Sequence, residues 1–331
     1  MQLTFLGTSA GSPTLDRNVT GLTLSFRRRP GLWLFDCGDG AQRRLMRAGL
    51  SLLKIDKIFI THLHGDHCYG LFGILASRGL LQGCEDRPVT IYGPRGIAEM
   101  VRVVLELSRV KLAYQIDFVE YSTGLILEET DIRVEAVKLS HDVVSHAFVI
   151  TEADRPGPFD AAAAKAAGVP SGPLFGRLSQ GESISLPDGR VIDGKTFVGP
   201  TRPGRRIIIG GDNDKPELLA EALQGACLFI HEATHTEEVS AGLKRKLRHS
   251  TALAVANTAA AANLPTLCLT HFSPRFVDNE RKNGRPLKEI EEEARSVYSG
   301  QLILARDLMR LEIDEAGQVR EMPRRGGTDP A

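Results

Sequence analysis

Five short apolar runs in this chain each stop at a polar residue of a metal-binding kind. Residues 57–60 (KIFI) lead into Thr61 and His62, and 134–140 (VEAVKLS) into His141. Residues 206–211 (RIIIGG) lead into Asp212, 227–230 (CLFI) into His231 and Glu232, and 267–270 (LCLT) into His271. Runs of this length, rich in β-branched residues and bounded by turn signals, read as strands. Helical patterns lie between some of them, at 95–109, 216–224 and 251–262. In sheets built from βα units, the loops at the carboxyl ends of the strands converge on one rim, where sites gather. One such ending would be coincidence; five define a site.

The densest ending is 61–67, THLHGDH, which holds three of the chain's nine histidines. His62 and His64 are two apart, and Gly65 allows a tight turn, so both rings can face one point while Asp66 and His67 face a neighbouring one. Neutral imidazole and carboxylate are ligands for zinc, or for manganese where oxygen dominates. Four ligands do not saturate two ions, and His141, Asp212 and His271 complete the set. Two cations about 3.5–4 Å apart can activate a water and clamp the oxygens of a phosphoryl or acyl group. A structural zinc site is instead a closed shell of four, often with thiolates. Seven candidates without cysteine describe an open, catalytic site.

The cysteines (Cys37, Cys68, Cys84, Cys227, Cys268) are scattered, with no CxxC pair, which fits a reducing cytoplasm and not a disulfide framework. Cys68 follows His67 but reads as a small core residue. No apolar run reaches the 18 or so residues of a membrane span, and the N-terminus has no basic region of a signal peptide. With 41 basic and 41 acidic residues the chain lacks the global charge of a strongly basic nucleic-acid binder. The clusters Arg27–Arg29, Arg43–Arg44 and 244–248 read singly as solvated faces.

Residues 153–204 break the strand–helix rhythm. They are rich in Gly and Pro, with an Ala-rich helix pattern and a hairpin-like SLPDGRVI, and have too few apolar residues for a core of their own. The stretch reads as an inserted flexible arm on a single domain spanning 1–314, with 315–331 as a disordered tail. Similar strand–ligand logic recurs on either side of the arm.

His62-x-His64-x-Asp66-His67, with His141, Asp212 and His271 downstream, resembles the signature of the metallo-β-lactamase superfamily. That resemblance implies an α/β fold, an αββα sandwich of two mixed sheets flanked by helices with a dinuclear site on its rim. HEAT (231–234), HST (249–251), Pro13-x-x-x-Arg17-Asn18, ARD (305–307) and GPLF (172–175) are similar to motifs of ribonuclease Z, in its short bacterial, ribonuclease BN-like form. The likeness runs from about Met1 to about Ile313. It implies an endoribonuclease that removes the 3′ trailer of precursor tRNA by hydroxide attack from a site of two Zn2+ ions per subunit (or Mn2+), leaving a 3′-hydroxyl. It further implies a cytoplasmic homodimer whose arm grips the tRNA body.

Carried over by position, His62, His64 and His141 would hold one metal and Asp66, His67 and His271 the other, with Asp212 bridging. Asp66 would also be the base for the attacking water, and His249, paired with Glu232, the acid for the leaving oxygen. Arg17, Asn18, Gly172, Pro173 and Asp307 would meet substrate. The chain departs from the family at Leu15 and Asp16, where a basic residue is usual, at His146-Ala147 for Tyr-Gly, and at Asn213 for Thr. His231 and His235 read as supporting or surface residues. Two other activities stay open: 3′ exonuclease trimming, and hydrolysis of a small ester or phosphodiester. The arm, with Gly-rich turns and nearly balanced charge, favours an RNA substrate held by backbone donors.

Overall fold

Strands buried on both faces alternate with helices along most of the chain, and this decides which layers form. The computed structural model describes residues 1–27, 29–245, 247–278 and 283–323. The chain forms two compact units: Met1–Glu128 with Arg133–Ile150 and the chain from Arg206 onward, and Glu129–Ile132 with Thr151–Arg205.

The first unit is built on two mixed sheets. The strands of the first lie in the order Val319–Met322, Arg310–Ile313, Gln2–Gly7, Gly21–Ser25, Leu32–Cys37, Ile55–Phe59, Val89–Pro94, Ile116–Tyr121. Pairing is parallel from Leu32–Cys37 to Ile116–Tyr121 and antiparallel before it. The second sheet runs Gln301–Leu304, Thr266–Thr270, Leu228–Glu232, Arg206–Ile209, His146–Glu152, Ile132–Lys138, Gly124–Glu129. Its strands from Arg206 onward are parallel. Leu32–Cys37 and Leu228–Glu232 are buried at every residue, as parallel central strands must be.

Phe148 of the second sheet meets Phe35 and Phe59 of the first at centroid separations of 5.6 and 5.4 Å, so the sheets face each other. Ala41–Arg47, Leu71–Arg78 and Ile97–Leu107 cover the first sheet through Leu45, Ile74, Leu75 and Val101. Ala252–Ala261 and Lys288–Arg295 cover the second through Val255, Ala256 and Ile290. The layers are therefore helix, sheet, sheet, helix, as the resemblance implies.

Two expectations about the first unit need correction. The pattern at 216–224 forms only one 3-10 turn, Pro216–Leu219, followed by turns that end at Gly225 with φ +73°. The first unit does not end at 314, because Val319–Met322 pairs antiparallel with Arg310–Ile313 and buries Val319. Residues 324–331 of the expected tail lie outside the described residues, as do Arg28 and Lys246 of the basic clusters.

The second unit does have a core. Ala164, Val169, Leu178, Ile184 and Leu186 are buried together, with Phe159 and Phe175 against them. The Ala-rich pattern is the helix Ala161–Ala166, capped by Asp160, whose carboxylate accepts from Ala163 N at 2.8 Å. The hairpin pairs Ser183–Ser185 with Val191–Asp193. Counting apolar residues along the stretch underrated it, because the helix Pro173–Ser179 and the hairpin turn theirs to one side.

Candidate metal centre

Each of the five strand ends delivers its side chain to one place. His62, His64, His141 and Asp212 form one group of potential ligand atoms, and Asp66, His67, Asp212 and His271 a second, each with its atoms within 4.8 Å of one another. Asp212 belongs to both. Its Oδ2 lies 3.6 Å from His62 Nε2 and 3.7 Å from His141 Nε2, while Oδ1 lies 3.3 Å from His67 Nε2 and 3.4 Å from His271 Nε2. His64 turns Nδ1 to within 3.1 Å of His141 Nε2.

The local fold explains the crowding. His64 keeps an extended backbone at the start of the short helix Gly65–Cys68, and the first turn brings Asp66 and His67 round. That turn packs so closely on Gly38 that a Cβ there would meet the Asp66 carbonyl oxygen at 2.2 Å. Asp66 Oδ2 also accepts from Gly11 N at 2.8 Å and sits 3.4 Å from His271 Nε2.

What fixes the rings is a set of hydrogen bonds to their far nitrogens. His67 Nδ1 donates to Asp36 Oδ2 at 2.7 Å. His62 Nδ1 donates to the Thr61 hydroxyl at 2.9 Å, and that hydroxyl donates to Asp36 Oδ2 at 2.8 Å. The second sheet repeats the device: His249 Nδ1 donates to Glu232 at 3.0 Å, and His271 Nδ1 to the Thr234 hydroxyl at 3.1 Å, which in turn donates to Glu232. His141 Nδ1 donates to the Arg248 carbonyl at 2.8 Å. These bonds select the tautomer in which Nε2 of His62, His67, His141 and His271 carries a bare lone pair.

Asp36, Thr61 and Thr234 were not singled out in the sequence. The signal for Asp36 was present, since LWLF (32–35) also ends on an acidic residue.

The residues fit divalent cations. His62 Nε2 is buried with no hydrogen-bond partner among the described residues, a cost that a metal removes. Burial disfavours charge on His67, yet Asp212, Asp36 and Asp66 hold its pKa well above the imidazole value, so the pocket calls for positive charge. Burial drives His62 well below that value, which keeps it a neutral ligand. Glu232 reaches the same cluster, in a third group with His249 and His271, and its oxygens accept from Asn213 N at 2.7 Å, from Thr234 and from His249, which it orients. Burial raises the Cys68 thiol to about 12, with Asp36 adding to it, so it stays protonated and outside the site.

His249 stands beside the cluster, Nδ1 3.8 Å from Asp212 Oδ2. Burial opposes its charge, but Glu232 and then Asp212 lift it from 6.5 to about 10, so it holds a proton. The rest of HST is structural: Ser250 donates to the Asn213 carbonyl, and Thr251 caps Ala252–Ala261 by accepting from Ala254 N. Asn213, at the departure from Thr, donates its amide to His231 Nε2 at 3.1 Å. His231 is thus a buried support. His235 is buried too, and His146 begins the strand His146–Glu152.

Arg17, Asn18 and Asp307, expected to meet substrate, are held by hydrogen bonds and ion pairs within the protein. Arg17 is 3% exposed, and its guanidinium binds Asp278, Thr8 and the Ala305 carbonyl over the Phe272 ring. Asp307 accepts from Thr8, Asn18 N and Arg44. Asn18 donates its amide to the Asp39 carbonyl at 2.8 Å. Together they tie down the loop that carries Gly11. Gly172 and Pro173 are exposed in the second unit, where Gly172 has φ +140° and nothing lies within 4 Å of its would-be Cβ.

The architecture is matched among solved structures by the short form of human tRNase Z, at 26% identity and TM-score 0.65, covering 95% of this chain and 100% of that one. The metallo-β-lactamase fold protein YhfI from Bacillus subtilis superposes with TM-score 0.64 at 16% identity, over 93% and 98%. Fold and site together define a protein of the metallo-β-lactamase fold with a His/Asp metal-type centre. A family profile described as anti-Pycsar protein Apyc1 matches residues 1–144. Ribonuclease Z of Brevibacillus brevis is 46% identical over 280 residues, 85% of this chain and 87% of the relative. Ribonuclease Z of Listeria innocua is 43% identical over 316 residues, 95% and 100%. The chain belongs to the ribonuclease Z family.

Proposed function

We propose that this chain is a metal-dependent endoribonuclease that removes the 3′ trailer from precursor tRNA, leaving a 3′-hydroxyl on the tRNA. The relatives support the substrate class. The observation that carries the chemistry is His249, held protonated by Glu232 beside a carboxylate that two ligand groups share. His62, His64 and His141 would hold one ion, Asp66, His67 and His271 the other, and Asp212 both. The nitrogen-rich donor set suits two Zn2+ better than Mn2+.

Bound there, the ions would bring a water's pKa to about 7 and neutralise the phosphate oxygens. The protein's own residues do the rest. Asp66, which His67 and His271 hold well below the carboxylate range against the pull of burial, is ionised and able to orient the attacking water. His249 gives Nδ1 to Glu232, so its other nitrogen carries the proton for the departing 3′ oxygen. No step needs the ribose 2′-hydroxyl.

The second unit is the exosite in this reading. Its Gly172–Pro173 turn offers exposed backbone to the tRNA body, because six basic against five acidic residues in 153–204 give little net charge. A homodimer is supported by exposed apolar side chains on the helices of the first sheet, Met46, Val103 and Leu107. A cytoplasmic location is supported by five cysteines that form no disulfide.

The test uses precursor tRNA labelled at its 5′ end and resolved at nucleotide resolution, with metal-loaded protein and its Asp66→Ala variant. One product ending near the discriminator base, absent with the variant, is the expected result. A ladder of shortening ends would replace the endonuclease with an exonuclease. No cleavage by the metal-loaded protein would sink the tRNA reading.

A further inference from the structure

Beside the metal centre the first unit has a pocket of about 570 Å3 whose wall includes His141. The size is that of a small-molecule site. Its walls combine two kinds of chemistry. Val143, Val144 and Leu218 are 38%, 56% and 47% exposed, a large apolar outlay for three neighbouring surface residues. Lys138 and Lys215 line the same pocket, both exposed, and neither has a carboxylate partner among the described residues. Arg248 completes the wall, but its charge is engaged: it donates to the His141 carbonyl and the Ser140 hydroxyl and pairs with Asp214 at 3.5 Å. Asp142 is the one acidic lining residue, so two unpaired cations face one anion.

We infer that this pocket is a nucleotide subsite of the same enzyme. Lys138 and Lys215 take the phosphate next to the one being cut, and Val143, Val144 and Leu218 take the face of the base. A surface kept apolar on one wall and cationic on the other matches single-stranded RNA, which presents a flat π-face and a charged backbone at fixed spacing. A small phosphodiester would leave one of the two unused. Location supports this, because His141 is shared with the ligand cluster and its ring lies 5.1 Å from that of His249. The pocket thus adjoins the place where a phosphate would be held. The inference rests on the proposed RNA substrate but not on the tRNA body.

The test is direct binding by the metal-loaded protein of a fluorescein-labelled five-nucleotide RNA with phosphorothioate linkages, which resists hydrolysis, followed by anisotropy across a salt series. Lys138→Ala with Lys215→Ala should weaken binding about tenfold or more and flatten the slope of log K against log salt by roughly 0.7 per lost phosphate contact. Asp142→Asn should tighten binding, and Leu218→Asp should weaken it. An unchanged affinity and slope in the double lysine variant would overturn the subsite. The outcome is separate from that of the tRNA reading. Uncut precursor with intact, lysine-dependent binding of the short RNA would remove the tRNA and keep the pocket.

Discussion

Both carboxylate oxygens of Glu232 lie 3.0 Å from Nδ1 of His249. Such a contact favours the imidazolium, and it leaves the opposite nitrogen as the only one able to give up a proton. His249→Ala should lower kcat on precursor tRNA by about 10²- to 10⁴-fold, the usual worth of a positioned acid. Glu232→Gln should keep the ring in place but remove its negative partner. The pKa of His249 then falls from about 10, so the alkaline limb of the kcat–pH profile moves to lower pH. A limb that stays put in the Gln variant would separate Glu232 from proton delivery.

Asp36 and Glu232 each hold one histidine directly and a second through a threonine hydroxyl. Removing such outer partners usually costs about 10- to 100-fold in metal affinity. Thr61→Val and Thr234→Val should each loosen metal binding by that order, read by competition with a chromophoric chelator. The losses should fall on different ions, since Thr61 supports His62 and Thr234 supports His271.

Asp307 is buried and binds Arg44, Thr8 and the backbone of Asn18. Asp307→Ala should therefore act on stability, by about 3–5 kcal/mol in denaturant unfolding, because it strands the largely buried cation of Arg44. A role in binding substrate would instead raise KM and leave the unfolding midpoint alone.

His235 is buried, and neither ring nitrogen has a hydrogen-bond partner among the described residues. Burial, with help from charged His249, lowers its pKa from 6.5 to about 4. The unfolded chain thus binds the proton more readily, so stability is full above pH 6.5 and falls as pH drops toward 4. The loss from this one group is at most about 3 kcal/mol. His235→Asn should unfold with a shallower pH dependence across that window. Equal slopes in wild type and variant would contradict it.

Much of the site was legible because its ligands are sequence-local or stand at strand ends. A parallel strand buried on both faces must be apolar throughout, so its last residue is where polarity returns, and the sequence marks that point. Asp212 and His271 were found in this way, and His62 and His141 after strands of mixed or alternating burial; the helix–sheet–sheet–helix order followed from the resemblance they carry. The strand-end logic recurring on the two sides of the arm reappears in space as Asp36–Thr61 and Glu232–Thr234. Asp36 sits within the strand Leu32–Cys37, and its partners Thr61 and His67 lie 25 and 31 residues further along the chain, so the sequence does not show what it holds.

By itself, then, the sequence determined which side chains could be ligands, where strands stop, and which family the motifs resemble. Tertiary structure alone decided which oxygen of Asp212 serves which histidines, and which nitrogen of each ring is bare. It also gave Arg17 and Asp307 the internal partners that anchor the loop carrying Gly11. The reason is that hydrogen-bond partners here stand far apart along the chain, as Asp307 does from Thr8 and His141 from Arg248. Motif spacing carries residue type and local reach, but burial and proton position belong to neighbours that only folding brings together.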